Sequence, residues 1–587
     1  MGDLKHSTSV LKQIISRVGR RFPLLLVILI SIIPFTAIST FWFYGFSNDG
    51  FLSSLSVLYS LHFRRILTFT MLQALASTLF SVVVGVLAAL LLEKTSLPLR
   101  HLFKSISVVM FILPALVLST GVLLLFGKNG LVNYLLKPTG LEIEILFTWK
   151  AILIAHMLLN FSLVFRTVSA AISTMDPAPS EAARTLGASR LKVFFFIELP
   201  RLRSAILSSA SLVFIYCFMA FSTILVLGQP KYYTPEVAVM YFIGGSYYGN
   251  AAAISLFETV FVFFFLACSS ALITRYQVVE KPVESILPRN PDDIPKTAKR
   301  TLINKPAKRS NVPLLLKNIF ITALSSVFFL ILTSPLTAVI ISSFLVSLSE
   351  RSFTLDNYKE LIDSKYNPNL GTSPADAVFN SIFFGFFTTL IVVTLSVFLS
   401  IALRQAGNSR TAPKFLTSRL ITSSFLLLPI GFSSVSIGFG LVRLTAYLDI
   451  RVVAPLILIV HCIAAFPLTF RIISEGISRF DWSLVDAGRN LGAGRLRCFF
   501  EISLPLLWKP ILAGAVFAFA VSLGDFGATL MVSSPEYTTI PIAIYRFISA
   551  GRKFGASSAM SAILIAVSGL AFYLVEKTTG TVFSNSK

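Results

Sequence analysis

The chain has 587 residues, of which 55% are hydrophobic and only 13% charged, with a mean hydropathy of +0.80. That composition excludes a water-facing globular surface and describes a polytopic membrane protein, since each spanning helix needs about 20 apolar residues. The net charge of +23 does not mark a nucleic-acid binder, because the basic residues lie in short segments between apolar runs, where they face an anionic leaflet and fix orientation.

In chain order, apolar helical runs fall near 22–45, 66–92, 105–127, 150–173, 204–228 and 250–274, and again near 314–347, 377–403, 418–442, 452–475, 510–533 and 556–576. The spacing predicts an all-α polytopic membrane protein of about 12 transmembrane helices in two parallel six-helix repeats. The expected divisions are a cytoplasmic N-terminus at 1–21, a first repeat at 22–275, a linker at 276–313, a second repeat at 314–576 and a cytoplasmic C-terminus at 577–587. The run from Phe22 to Tyr44 follows Lys12, Arg17, Arg20 and Arg21 and resembles a signal peptide, but it is too long for a cleavable apolar core, so it reads as an uncleaved first span. The linker carries Pro282, Pro288, Pro291, Pro295 and Pro306 among many Lys and Arg residues, a composition that does not pack. Pro114 and Pro429 fall in the third span of each repeat and predict kinks.

Orientation follows from the basic residues. With the N-terminus placed inside, 36 of the 50 Lys and Arg lie in cytoplasmic segments, which puts both termini in the cytoplasm. Cys217, Cys268, Cys462 and Cys498 are scattered and suggest neither a disulfide framework nor a metal knuckle.

The duplication is visible in one block. A shift of 305 residues lays Phe165–Pro200 over Phe470–Pro505 without a gap, and 18 of the 36 positions are identical. The block lies in a polar loop, 176–200 and 481–505, where shared lipid-facing hydrophobicity cannot produce the match. Asp176 and Asp481 are suited to open a short helix as caps, and Pro177 is favourable at its first position. That helix carries Glu181-Ala182-Ala183-Arg184 in one copy and Asp486-Ala487-Gly488-Arg489 in the other, and Gly187 or Gly492 can end it in a left-handed conformation. A second amphipathic piece with paired aromatics then runs to Pro200 or Pro505, giving a compact helix-turn-helix. Small residues permit close approach by a partner, and Arg184, Arg190, Arg489 and Arg495 can pair with its acidic groups. An interfacial helix lying on lipid is the alternative, but lipid contact does not require the repeated acid-to-Gly spacing of 6 and Gly-to-Pro spacing of 13.

This pattern resembles the EAA loop of permease subunits of binding-protein-dependent ABC importers. Glu181-Ala182-Ala183 with Gly187 matches well, whereas the second copy has Asp486 for Glu and Gly488 for the second Ala. The resemblance implies that both loops dock on a cytoplasmic ABC ATPase dimer, which uses ATP and Mg, and that this chain carries no cofactor of its own. It further implies an extracytoplasmic solute-binding protein as partner, residence in the bacterial inner membrane, and alternating access through a central cavity. The two-repeat layout is similar to the thiamine and ferric-iron branch. Ser222–Gly228 with Thr234-Pro235-Glu236-Val237-Ala238, and Ser522–Leu530 with Thr538-Thr539-Ile540-Pro541, lean toward the thiamine type.

No Gly-x-x-x-x-Gly-Lys-Ser/Thr phosphate loop is present, so ATP hydrolysis is expected on a separate chain; Gly121 to Asn129 is a decoy with the wrong spacing. Neither a zinc-protease helix nor a nucleophile elbow occurs, and the five His do not cluster, so the chain does not read as an enzyme. Glu258 and Asp525 fall inside apolar runs and should face the protein interior. Asp525, in Gly524-Asp525-Phe526-Gly527, reads as part of a locally irregular helix that lines the substrate pathway and draws in a cation such as thiamine, the bland reading being a hydrogen bond to a neighbouring helix backbone. An ion-gradient-driven carrier with Glu258 or Asp525 as coupling-ion site is the rival reading, and the paired loops weigh against it.

Overall fold

The computed structural model describes residues 32–94, 103–276 apart from 105, 108, 109, 111 and 112, 312–407 apart from 348, 349, 351, 364 and 365, and 426–579 apart from 427, 451 and 550–552. The expected N-terminus at 1–21, the opening of the first span and most of the linker lie outside the described residues. Among those described, the chain is helical, with two isolated bridges, Leu345 to Phe353 and Asn367 to Thr372, as its extended pairings.

The first repeat contains α1 (32–49), α2 (Leu61–Lys94), α3 (Ala115–Phe126), α4 (Trp149–Ser173), α5 (Ala178–Thr185), α6 (Leu199–Phe218), α7 (Ser222–Leu227), α8 (Pro235–Gly244) and α9 (Tyr248–Tyr276). The second contains α10 (Val312–Ser343), α11 (Pro374–Gly407), α12 (Ser434–Tyr447), α13 (Val453–Ser478), α14 (Ser483–Asn490), α15 (Leu504–Gly524), α16 (Gly527–Val532), α17 (Ile540–Ser549) and α18 (Phe554–Thr579). Among the described residues, ten helices are long and apolar enough to cross a membrane. The runs expected near 22–45 and 418–442 are not among the ten. Part of each lies outside the described residues, and α12 alone, at 14 residues, spans only about 21 Å.

Pro114 and Pro429 stand just before helices rather than within them. Pro114 stands in an extended conformation (φ −60°, ψ 139°) immediately before α3, and Pro429 lies in a single tight turn, Leu428–Gly431, before α12. A ring without an N–H loses nothing at a helix start, where that donor has no intrahelical partner. The fifth spans, expected at 204–228 and 510–533, are both broken, the second at the irregular helix expected over Gly524–Gly527 and the first at a place with no such expectation. Each stops, at Phe218 or Gly524, and restarts as the short α7 or α16. Each is followed by a ten-residue helix, α8 or α17, whose length of about 15 Å is half a membrane.

The first helix of each repeat braces the other repeat. A methyl added at Gly440 on α12 would lie 2.0 Å from the Ala37 carbonyl oxygen of α1, and one at Gly121 on α3 would lie 2.4 Å from the Pro335 carbonyl oxygen of α10. Glycine is what allows these backbones to touch. Around the first contact Phe41 meets Phe439 edge-on at 5.2 Å, and the Arg443 guanidinium lies 4.0 Å from the Tyr44 ring and 5.1 Å from that of Tyr248. Beside the second, Phe103 stacks on Phe329 at 4.2 Å. The largest buried cluster accordingly draws side chains from both repeats, from Phe41 to Leu564.

Candidate functional site

The repeated loops adopt one conformation twice. Asp176 Oδ1 accepts from the Ala178 N–H at 3.0 Å, and Asp481 Oδ1 accepts from the Ser483 N–H at 3.0 Å. The caps therefore act from one residue further back than expected, because Pro177 and Trp482 already have helical dihedrals. Hydrogen bonds from Ser483 hold the exposed Asp481 carboxyl below the usual carboxylate range.

Both helices end in a Schellman closure. Gly187 (φ +87°) and Gly492 (φ +89°) are left-handed. Their N–H groups bond the Arg184 and Arg489 carbonyls at 3.0 and 2.9 Å, while Ala188 and Ala493 bond the Ala183 and Gly488 carbonyls at 3.0 Å each. Such a closure needs a residue without Cβ strain at the left-handed position. At Gly488, the departure from Ala183, a methyl would meet Ile502 Cδ1 at 2.6 Å, the far end of a side chain that can rotate aside.

The second amphipathic piece is not a separate helix. Arg190–Val193 runs through a wide turn, Phe194–Glu198, directly into α6, and Arg495–Cys498 runs through Phe499–Ser503 into α15. Leu199 N–H reaches back to the Phe194 carbonyl and Leu504 N–H to that of Phe499, five residues each. Pro200 and Pro505 follow within one residue. A proline ring crowds the carbonyl four residues before it, and widening the turn relieves that contact. The loop thus forms one rigid lever with the fifth span.

Glu181, Ala182, Arg184, Asp486, Ala487 and Arg489 are exposed, and α5 has no buried residue. Three apolar side chains stand out at equivalent positions: Leu186 and Leu491 (88% and 89% exposed), Leu191 and Leu496, and Phe195 and Phe500. Separate contacts tie each loop to its repeat. Arg201 Nη1 donates to the Asp176 carbonyl at 2.8 Å, and Arg404, near the end of α11, lies 4.3 Å over the Trp482 ring.

Deeper in the bundle, the two broken fifth spans meet. Phe221 and Phe526 lie in the breaks with ring centroids 5.5 Å apart. Thr234 Oγ1 donates to the Ala220 carbonyl at 2.8 Å, holding the start of α8 on the first break. Asp525 lies in the second break, 9% exposed, and its carboxylate accepts from the Thr529 N–H at 3.0 Å and from the Thr529 hydroxyl. Glu258 is fully buried on α9.

Sequence reasoning missed three features here. His156 and His461, in equivalent register, each tie a fourth span to its surroundings. His156 Nδ1 lies 3.0 Å from Gln73 Oε1, whose amide donates to the Cys217 carbonyl at 2.7 Å, and His461 lies 2.7 Å from Ser522 Oγ and 2.9 Å from Thr529 Oγ1. The break at Phe221 was not expected, whereas the one at Asp525 falls where Gly524-Asp525-Phe526-Gly527 predicts an irregular helix. Glu236, on α8, is buried, and the Pro235 before it was the available sign of a helix start.

Residues 81–278 and 414–577, together more than half of the chain, match the model of the family described as binding-protein-dependent transport system inner membrane component. The chain is 28% identical over 520 residues to the thiamine transport system permease protein ThiP of Brucella abortus (strain 2308), covering 87% of each chain. It is 24% identical over 528 residues to the protein of the same name from Escherichia coli (strain K12), covering 88% of this chain and 89% of that one. With helical spans in two matched repeats, this chain belongs to the family of binding-protein-dependent transport system inner membrane components, as a fused two-repeat, multi-pass ABC permease of the inner membrane.

Proposed function

We propose that this permease imports thiamine, delivered by an extracytoplasmic binding protein and driven by a separate cytoplasmic ABC ATPase dimer. The substrate reading is supported by similarity along nearly the whole length to permeases named for thiamine transport; ferric iron is the competing substrate. The observation that carries the mechanism is the pair of identically closed loops. Glu181, Ala182, Ala183, Arg184, Gly187 and Pro200 form one docking point, and Asp486, Ala487, Gly488, Arg489, Gly492 and Pro505 form the other. Each docking point offers an exposed apolar triplet flanked by charge, and each is continuous with a fifth span. Closure of the ATPase dimer would move both loops together, and the rigid connection through α6 and α15 would carry that movement to the breaks where the repeats meet. Energy enters because the ATPase contacts differ between the two states. Both termini and the linker at 276–313 lie in the cytoplasm in this arrangement, with 22–275 and 314–576 as the two transmembrane repeats.

Uptake of labelled thiamine and of labelled ferric iron, in cells with and without this chain, tests the substrate. Loss of thiamine uptake alone supports the reading, and loss of iron uptake alone replaces thiamine with iron.

A further inference from the structure

Where the broken fifth spans meet, two carboxylates lie that take no part in the coupling loops. Glu236 is 2% exposed. Its Oε1 accepts from the Ser434 N–H at 2.9 Å, Ser434 Oγ at 2.7 Å, Ser433 Oγ at 3.2 Å and the Val435 N–H at 3.3 Å, so a first-repeat carboxylate caps a second-repeat helix. Glu258 is fully buried, interacts electrostatically with Glu236, and neither of its oxygens has a hydrogen-bond partner. Among the described residues, no Lys, Arg or His pairs with either. A helix N-terminus offers Glu236 only about half a positive charge, and no cationic side chain stands beside the pair, so a carboxylate ionised there would lack a counter-ion.

Aromatic rings lie close to the serine that holds Glu236. A methyl on Gly527 would lie 2.4 Å from Ser434 Oγ, the hydroxyl bonded to Glu236, and 3.2 Å from the Phe221 ring. Phe221 faces Phe526, whose ring lies 5.3 Å from that of Tyr545. Buried carboxylates without a counter-ion beside aromatic rings are the chemistry that recognises an organic cation.

We propose that Glu236, with Glu258 beside it and the rings of Phe221 and Phe526 adjoining, receives an organic cation bearing an aromatic ring on its way through the membrane. The proposal rests on the thiamine reading, since thiamine carries a ring with a fixed positive charge. In the state described, the N-terminus of α12 occupies the carboxylate and the two rings close the seam. Ser433 and Ser434 belong to the second repeat and Glu236 to the first, so separation of the repeats withdraws the cap and frees the carboxylate for cargo. Binding then differs between the two states, as alternating access requires.

The test is transport by proteoliposomes holding the full chain with its ATPase and binding protein, read as thiamine moved per ATP hydrolysed. Glu236→Gln, which keeps an acceptor for the serines but removes the charge, is expected to lower that ratio at least tenfold. Glu236→Asp should recover it to within threefold of wild type. A wild-type ratio in Glu236→Gln overturns the proposal. So does a loss of hydrolysis in proportion to uptake that Glu236→Asp fails to restore, which is the signature of a purely structural cap. Wild-type vesicles that hydrolyse ATP but move no thiamine overturn the proposed function and this site with it, whereas transporting wild type with an unaffected Glu236→Gln overturns this site alone.

Discussion

Phe221 and Phe526 are 305 residues apart in sequence and 5.5 Å apart between ring centroids. The same shift aligns the two repeated loops, so the rings are equivalent residues of the two repeats meeting at the axis that relates them. Both are nearly buried, 6% and 4% exposed. Truncating either to Ala should cost about 3 kcal/mol. Because each loses the same partner, the double variant should fall short of the sum by about 1 kcal/mol. Thermal denaturation of the purified permease in detergent reads the coupling; strict additivity would mean that the rings do not interact.

The repeated loops depend on left-handed glycines. Gly187→Pro combined with Gly492→Pro forces φ toward about −65° where the chain needs the opposite sign, and removes the N–H that closes each helix. Uptake should be abolished while membrane insertion, measured by immunoblot of washed membranes, stays at the wild-type level. The corresponding Ala variants should be milder, since a methyl meets nothing within 4 Å at either position and only backbone strain of about 1–2 kcal/mol remains. Wild-type transport by the double Pro variant would contradict the coupling role.

Close backbone contact fixes the crossed first helices. Gly440→Leu and Gly121→Leu each place a side chain where another helix's carbonyl lies within 2.4 Å of the Cβ position, and the helices must separate. Each should lower the yield of folded permease several-fold, as measured by size-exclusion chromatography, whereas Gly569→Leu, with nothing within 4 Å, should not.

Arg404 and Trp482 link α11 to the second repeated loop. A partly exposed cation–π contact contributes only about 0.5–1 kcal/mol, so Arg404→Ala should fold normally. Its effect should lie in transmission: thiamine moved per ATP hydrolysed should fall several-fold, with assembly on the ATPase unchanged by pull-down. An unchanged ratio would leave the contact a local brace.

The helices and the loops were legible because their signals are local. Apolar runs mark spans, and Asp481, Gly492 and Pro505 repeat Asp176, Gly187 and Pro200 at fixed spacing. What the sequence hid is backbone discontinuity inside apolar runs and the choice of tertiary partner. Ala220-Phe221-Ser222 holds no Gly, Pro or charge, so a helix break there leaves no strong mark in the sequence. Nothing in Ala37 or Gly440 alone says that they touch across the repeats, and nothing near Glu236 in sequence names Ser433 and Ser434 as its partners. The lever from Arg190 through Phe218 was hidden for a different reason: Pro200 reads as a stop, yet the chain widens one turn and continues.

The central claim is that the two loops couple a cytoplasmic ATPase to thiamine movement, and the most direct measurement is ATP-dependent uptake of labelled thiamine by proteoliposomes containing this chain, the ATPase and the loaded binding protein. The account predicts uptake that requires ATP, is insensitive to dissipation of ion gradients, and is lost in the Gly187→Pro, Gly492→Pro double variant. Uptake that proceeds without ATP and collapses with the ion gradient would contradict it.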